Sequence, residues 1–196
     1  MKIVAAVVSY LLGSIPTGYL LVRLAGKHDV RQFGSGSTGA TNVLRVKGWK
    51  TALPVALFDV LKGFLPVYLA SRWFDDPVFA ALCGLLAVVG HCFPFAIGFR
   101  GGKGVATSLG AYAAIAWAPL LGGLGLFLVV VGLTRFVSLA SILASLAIPM
   151  IVFFAGGPPA VAGIALALSV LIVFQHRGNI ARLVRGTERK LGEKMS

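Results

Sequence analysis

Apolar runs alternate with short basic segments along the whole chain. Residues 3–22, 51–70, 78–97, 105–134, 136–155 and 160–174 are almost free of charge. Runs of about 18 or more apolar residues predict bilayer-crossing helices, since roughly 20 residues at 1.5 Å each cover a core of about 30 Å. The first run carries Pro16, lacks a small-x-small exit and exceeds the usual apolar region of a leader, so it predicts a retained anchor. The run 105–134 would make a single helix of about 45 Å, too long for one crossing. Pro119, followed by Gly122 and Gly123, is the predicted break into two helices. The expectation is an all-α, polytopic helical membrane protein with about seven transmembrane helices.

Charge then sets the predicted orientation. With seven crossings and the N-terminus outside, fifteen of the 18 Lys and Arg residues face the cytoplasm: six in 23–50, then Arg100, Lys103 and Arg135, then six in 176–196. The positive-inside rule asks for this bias, and it makes the C-terminus cytoplasmic. The full net charge of +12 resides in these segments. The plain reading of this charge is topogenic, together with attraction to anionic lipid.

Composition agrees with the pattern: 58% of residues are hydrophobic and 12% charged, against about 25% charged in soluble domains. Residues 1–196 therefore read as one transmembrane domain, without a repeat or soluble module. Short juxtamembrane charges without interleaved aromatics do not predict nucleic-acid binding. Cys83 and Cys92 suggest neither a disulfide framework nor a metal site, and His28, His91 and His176 are too scattered to spell one. No metal and no cofactor is expected.

Three segments on the predicted cytoplasmic face combine glycines or small hydroxyls with cations: "GSGSTGATNVLR" (34–45), "GHCFPFAIGFRGGKGVAT" (90–107) and "HRGNIARLVRGTE" (176–188). Topology lets them converge on one pocket. Gly34, Gly36 and Gly39 have G-x-G-x-x-G spacing, but no strand precedes them, so a dinucleotide fold is disfavoured. Bare backbone at Gly36, Gly39 and Ala40 could still aim N–H groups at an anion. Ser35, Ser37, Thr38 and Thr41 would add hydroxyls, Asn42 an amide and Arg45 a planar fork. The plainer alternative is a flexible loop.

The second segment resembles a P-loop without being one, since Ile97 stands where the leading glycine belongs and Gly104 where Ser or Thr should follow the lysine. Gly101, Gly102 and Gly104 around Lys103 at a helix start still favour an anion, with Thr107 and Ser108 in reach. A helix cap with a topogenic lysine would look similar. In the third segment His176 and Asn179 are three apart, and the following Arg182, Arg185, Arg189 and Lys190 read as a charged interfacial helix. Ser138 and Ser141 could reach the same pocket. Asp59 and Lys62, at membrane depth with i,i+3 spacing, could pair structurally or serve function.

Together, in this order, the three segments and "YLLGSIPTGYL" (10–20) resemble the bacterial acyl-phosphate:glycerol-3-phosphate acyltransferase family over nearly the whole chain. The family's first motif is usually GSGNxGATN and its third HRxNIxR, often with Glu at the x. Ser37 here replaces the Asn, and Gly178 stands at the position of the Glu. The resemblance implies acyl transfer from acyl phosphate to sn-glycerol 3-phosphate, giving 1-acyl-glycerol 3-phosphate and phosphate, an early step of phospholipid synthesis. It implies a multi-pass protein of the bacterial inner membrane, working among membrane lipid with its active site at the cytoplasmic face.

An acyl phosphate is already activated, so the protein has chiefly to orient two reactants and stabilise charge. Lys103, His176 and Ser35 are the expected catalytic residues. Gly36, Ser37, Thr38, Gly39, Ala40, Thr41, Asn42, Arg45, Gly101, Gly102, Gly104, Thr107, Ser141 and Asn179 are the expected substrate-binding residues. The base for the glycerol hydroxyl is left open among His91, His176, Asp59 and a substrate phosphate oxygen. A small anion or phosphate transporter is the alternative reading, though a carrier would be expected to show a repeat and polar residues through its middle.

Overall fold

A computed structural model describes residues 1–26 and 28–193. Lys27 and residues 194–196, part of the basic segments assigned to the cytoplasm, lie outside the described residues. No strand occurs among the described residues. The helices are α1 (Lys2–Gly13), α2 (Thr17–Leu24), α3 (Ala40–Lys47), α4 (Trp49–Phe74), α5 (Pro77–Cys92), α6 (Val105–Ile115), α7 (Trp117–Thr134), α8 (Val137–Phe154), α9 (Pro159–Gln175) and α10 (Arg177–Val184).

Each apolar run of the sequence forms helix, and the runs 3–22 and 105–134 form two each. Five stretches are long and apolar enough to cross a membrane unaided: Lys2–Leu24, Trp49–Phe74, Pro77–Ile97, Trp117–Thr134 and Val137–Phe154. α9 qualifies only together with α10, from which it is bent by 58°. α6 has 11 residues, about 16 Å of helix, well short of a bilayer core. The break before α7 falls at Ala116 (φ −143°, ψ 55°) rather than at Pro119. Pro119 sits in the first turn of α7, where the missing N–H would have had no helical partner.

Lipid-filled surroundings give helices no hydrophobic reason to associate with one another, so close backbone approach matters. α4 and α6 touch through glycines: a methyl at Gly63 would lie 1.9 Å from the Thr107 carbonyl oxygen, and one at Gly110 the same distance from that of Val60. α1 and α5 meet in the same way, Gly13 against the Ala87 carbonyl and Gly90 against that of Tyr10. A buried apolar cluster including Val88, Tyr112, Ile148, Val161, Leu168 and Ile172 ties α5, α6, α8 and α9 together. A second, of Val22, Val30, Val43, Ala52 and Val55, seats α2, residues 28–39 and α3 on α4. α7 lies outermost, with Leu128, Val129 and Leu133 exposed.

Candidate active site

The three motif segments converge at one end of the bundle around a cavity of about 310 Å³. The first wall is the loop before α3. Asn42 is its organiser: Oδ1 accepts the Ser35 N–H at 2.8 Å, while Nδ2 donates to the carbonyls of Ser37 (2.8 Å), Phe33 (3.1 Å) and Val30 (3.2 Å). With all these bonds made internally and 1% of its surface exposed, Asn42 lines the cavity but acts as scaffold. Gly34 has φ +62°, and a methyl there would lie 2.2 Å from the Asn42 oxygen. The loop so held presents Ser35 and Ser37, whose hydroxyls are 3.2 Å apart, together with Gly39, Ala40, Thr41 and Arg45. The N–H groups of Ala40 and Thr41, in the first turn of α3, have no partner among the described residues.

The second wall is Lys103 and Gly104, immediately before α6. Lys103 Nζ donates to Asn179 Oδ1 at 2.5 Å, its one bond among the described residues. Burial chiefly pulls its pKa down to about 8, with Arg182 and Arg45 adding to the effect and Glu188 opposing it. The third wall comes from the junction of α9 and α10. His176 Nδ1 lies 2.8 Å from the Ile172 carbonyl oxygen; a carbonyl only accepts, so Nδ1 carries the proton and Nε2 of the neutral ring is an acceptor. His176 and Asn179 line the cavity together although the helix bends between α9 and α10.

Glu188 joins these walls and was not among the expected site residues. It is buried, 8% exposed. Oε1 accepts from Asn179 Nδ2 at 2.6 Å and Ser138 Oγ at 2.8 Å, and Oε2 accepts from Arg182 Nε at 2.7 Å. Burial pushes its pKa up, but the bonds from Asn179, Ser138 and Arg182 outweigh that and hold it below the ordinary carboxylate range. A solitary acid at the end of a basic motif was the available signal. Arg182 is thus a partner of Glu188 rather than part of an interfacial face.

Five expected residues lie outside the cavity lining: Gly36, Thr38, Gly101, Gly102 and Thr107. Their backbone hydrogen bonds explain most of this. The N–H of Gly36 donates to Phe33, that of Thr38 to Gly101, that of Gly101 to Cys92 and that of Gly102 to His91, so these amides are spent shaping the loops. Thr107 is fully buried against α4, its hydroxyl without a partner. Ser141 does line the cavity, its hydroxyl donating to the Val137 carbonyl at 2.8 Å.

Deeper in the cavity are Asp59 and His91. Asp59 Oδ1 accepts from Thr17 at 2.5 Å and pairs with Lys62 at 2.7 Å, as the spacing predicted; His91 Nδ1 is 3.5 Å away. Lys62 also donates to the Ile15 carbonyl at 2.9 Å, and Asp59 Oδ2 is buried without a partner. Towards the bilayer a second, apolar hollow of about 120 Å³ runs between α6, α7 and α8, sharing Val105, Leu109, Phe127 and Ser141 with the first. No cluster of metal-ligating residues occurs among the described residues.

The family model for glycerol-3-phosphate acyltransferase matches residues 3–186. A glycerol-3-phosphate acyltransferase of Brucella anthropi is 47% identical over 97% of this chain and 93% of its own length. One from Synechococcus sp. (strain CC9902) is 46% identical over 94% and 92%. Crystal structures of PlsY (YgiH), an integral membrane glycerol 3-phosphate acyltransferase, superpose with TM-scores of 0.94 for the glycerol 3-phosphate form and 0.90 for the lysophosphatidic acid form. They are 40% and 39% identical, covering 97% of this chain and 96% and 95% of theirs. A model match over most of the chain, relatives alike along nearly their whole length and the shared fold agree that this chain, an integral membrane enzyme, belongs to the glycerol-3-phosphate acyltransferase family.

Proposed function

We propose that the chain transfers a fatty acyl group from acyl phosphate to sn-glycerol 3-phosphate at the cytoplasmic face of a bacterial inner membrane, with seven crossings and the C-terminus inside. The glycerol hydroxyl oxygen bonds to the acyl carbon, the bond from that carbon to the phosphate oxygen breaks with its electron pair leaving on phosphate, and the hydroxyl proton ends on the departing phosphate. The products are 1-acyl-glycerol 3-phosphate and inorganic phosphate, and no covalent enzyme intermediate is needed.

The observation that carries this reading is Lys103, fixed by one bond to Asn179 in a cavity that opens both to the polar loops and to an apolar hollow. Its remaining N–H groups, Arg45, the Ser35 hydroxyl and the free amides of α3 meet the phosphoryl oxygens and the charge that develops on them. His176 Nε2 accepts from the glycerol hydroxyl and orients it. The apolar hollow between α6, α7 and α8 takes the start of the acyl chain. Gly104, Gly39, Thr41 and Ser141 complete the lining.

Purified protein in detergent tests the donor. Formation of 1-acyl-glycerol 3-phosphate is expected from acyl phosphate plus glycerol 3-phosphate, with release of phosphate, and is not expected when acyl-CoA replaces the acyl phosphate. Turnover with acyl-CoA alone as donor would overturn the assignment.

A further inference from the structure

The reaction cavity is short of positive charge for two phosphates. A phosphate monoester carries about −1.5 to −2 at pH 7, so two such groups bring about −3 to −4. The cavity offers Arg45 and Lys103, while its carboxylates, Asp59 and Glu188, are paired with Lys62 and Arg182. Beside it lies a polar hollow of about 90 Å³ lined by Gly34, Ser35, Arg45, Arg182, Glu188 and Arg189. Ser35, Arg45 and Glu188 belong to both spaces.

Three guanidiniums line this hollow with one carboxylate, Glu188, and a second, Glu193, acts on Arg45 from outside the lining. Among the described residues, the side chains of Arg45 and Arg189 have no hydrogen-bond or ion-pair partner within the chain, and Arg182 commits only its Nε, to Glu188. Burial lowers the Arg45 pKa first of all; Arg189 and Arg182 add to this, and Glu188 and, to a smaller extent, Glu193 oppose it. Like charges gathered around a concave surface repel unless an anion joins them. Guanidiniums present forks of N–H donors matched to phosphate oxygens.

We propose that this hollow is a second phosphate subsite, outside the reaction cavity, where Arg189 and Arg182 hold a phosphate monoester or inorganic phosphate from the cytosol and share Arg45 with the reaction cavity. The proposal rests on the function proposed above. It gives glycerol 3-phosphate a staging point on the way in, or inorganic phosphate one on the way out, along a path that passes Arg45 and Ser35.

Arg189 is exposed and unbonded, so its replacement should leave the fold intact. KM for each substrate, with the other saturating, and inhibition by inorganic phosphate are measured for the wild type, R189K, R189A and R189E. Binding of inorganic phosphate to the substrate-free protein is followed by calorimetry. R189A is expected to raise KM for glycerol 3-phosphate about threefold and R189E about tenfold, with R189K close to wild type and kcat and KM for acyl phosphate within about twofold. Phosphate binding should weaken in the same order. Weaker phosphate binding and inhibition with an unchanged KM for glycerol 3-phosphate would assign the subsite to the departing product. A change confined to KM for acyl phosphate, or to binding of vesicles containing anionic lipid, would make Arg189 a membrane contact and overturn the proposal, as would no change at all. Failure of the wild type to release phosphate from acyl phosphate would instead sink the donor assignment, while calorimetry still reports on the subsite.

Discussion

Two acid–base clusters face the same cavity, and they are wired differently. In the loop cluster, Glu188 accepts three side-chain bonds and in doing so fixes Asn179, which in turn holds Lys103 by one bond. The lysine is aimed and still has donors to spare. In the membrane cluster, Lys62 is committed to Asp59 and the Ile15 carbonyl, and the group left over is a carboxylate oxygen, Asp59 Oδ2. One arrangement leaves a cation for an anionic ligand; the other consumes its cation to stabilise a buried acid. Proximity to a cavity therefore does not make a charged residue available to substrate: what counts is how many of its bonds the protein has already filled.

The sharpest way to break the comparison is at the two lysines. Lys103→Ala should lower phosphate release by about 10²–10³-fold or more, the loss typical of removing one donor to a developing oxyanion, with the melting temperature little changed. Retained turnover would remove the ammonium from the chemistry. Asp59→Asn should show the opposite profile: leaving Lys62 buried without its counter-charge costs about 3–5 kcal/mol of stability. The double variant Asp59→Asn/Lys62→Met separates the roles. Recovery of both stability and turnover would mark the pair as structural, whereas stability regained without turnover would mean that the carboxylate serves the reaction.

Glu188→Gln is expected to lie between these extremes. The amide keeps the shape but presents an NH₂ where Asn179 or Arg182 also donates, so one buried bond is lost at about 1–3 kcal/mol. For a chain of this size that lowers the melting temperature by roughly 2–12 °C. Because Lys103 is then aimed less well, turnover should fall about 10–100-fold. A variant equally stable and equally active would show that Lys103 does not depend on Glu188 for its position.

The apolar runs made the helices legible before any coordinates, because each must satisfy its own backbone in lipid. The three motif segments were legible too, through glycines beside cations. What one dimension hid was how donors are spent. Gly101 and Gly102 look like anion-binding amides in sequence, yet their N–H groups close the loop onto Cys92 and His91. Asn42 looks like a ligand and is a scaffold, since its partners are backbone carbonyls five to twelve residues back. Glu188 looks like a tail acid because its partners on α8 and α10 come together only in the fold. Pro119 looked like a helix break, although a proline in the first turn costs no hydrogen bond.

The mildest test is pH. Burial holds the Lys103 pKa at about 8, below its ordinary 10.5. With the ammonium in the role proposed for it, kcat/KM for glycerol 3-phosphate should be level between about pH 7 and 8 and fall about tenfold per unit above it, as the free enzyme loses this proton. Stability should respond with the opposite sign. Between about 8 and 10.5 the unfolded chain binds the proton that the folded one has released, so this group's contribution to stability rises with pH across that window. Lys103→Arg supplies the control, because a guanidinium stays charged throughout: whatever activity it retains should lose the step near pH 8. A step that persists in the Arg variant belongs to another group, and the coupling drawn here between one buried ammonium and turnover would have to be given up.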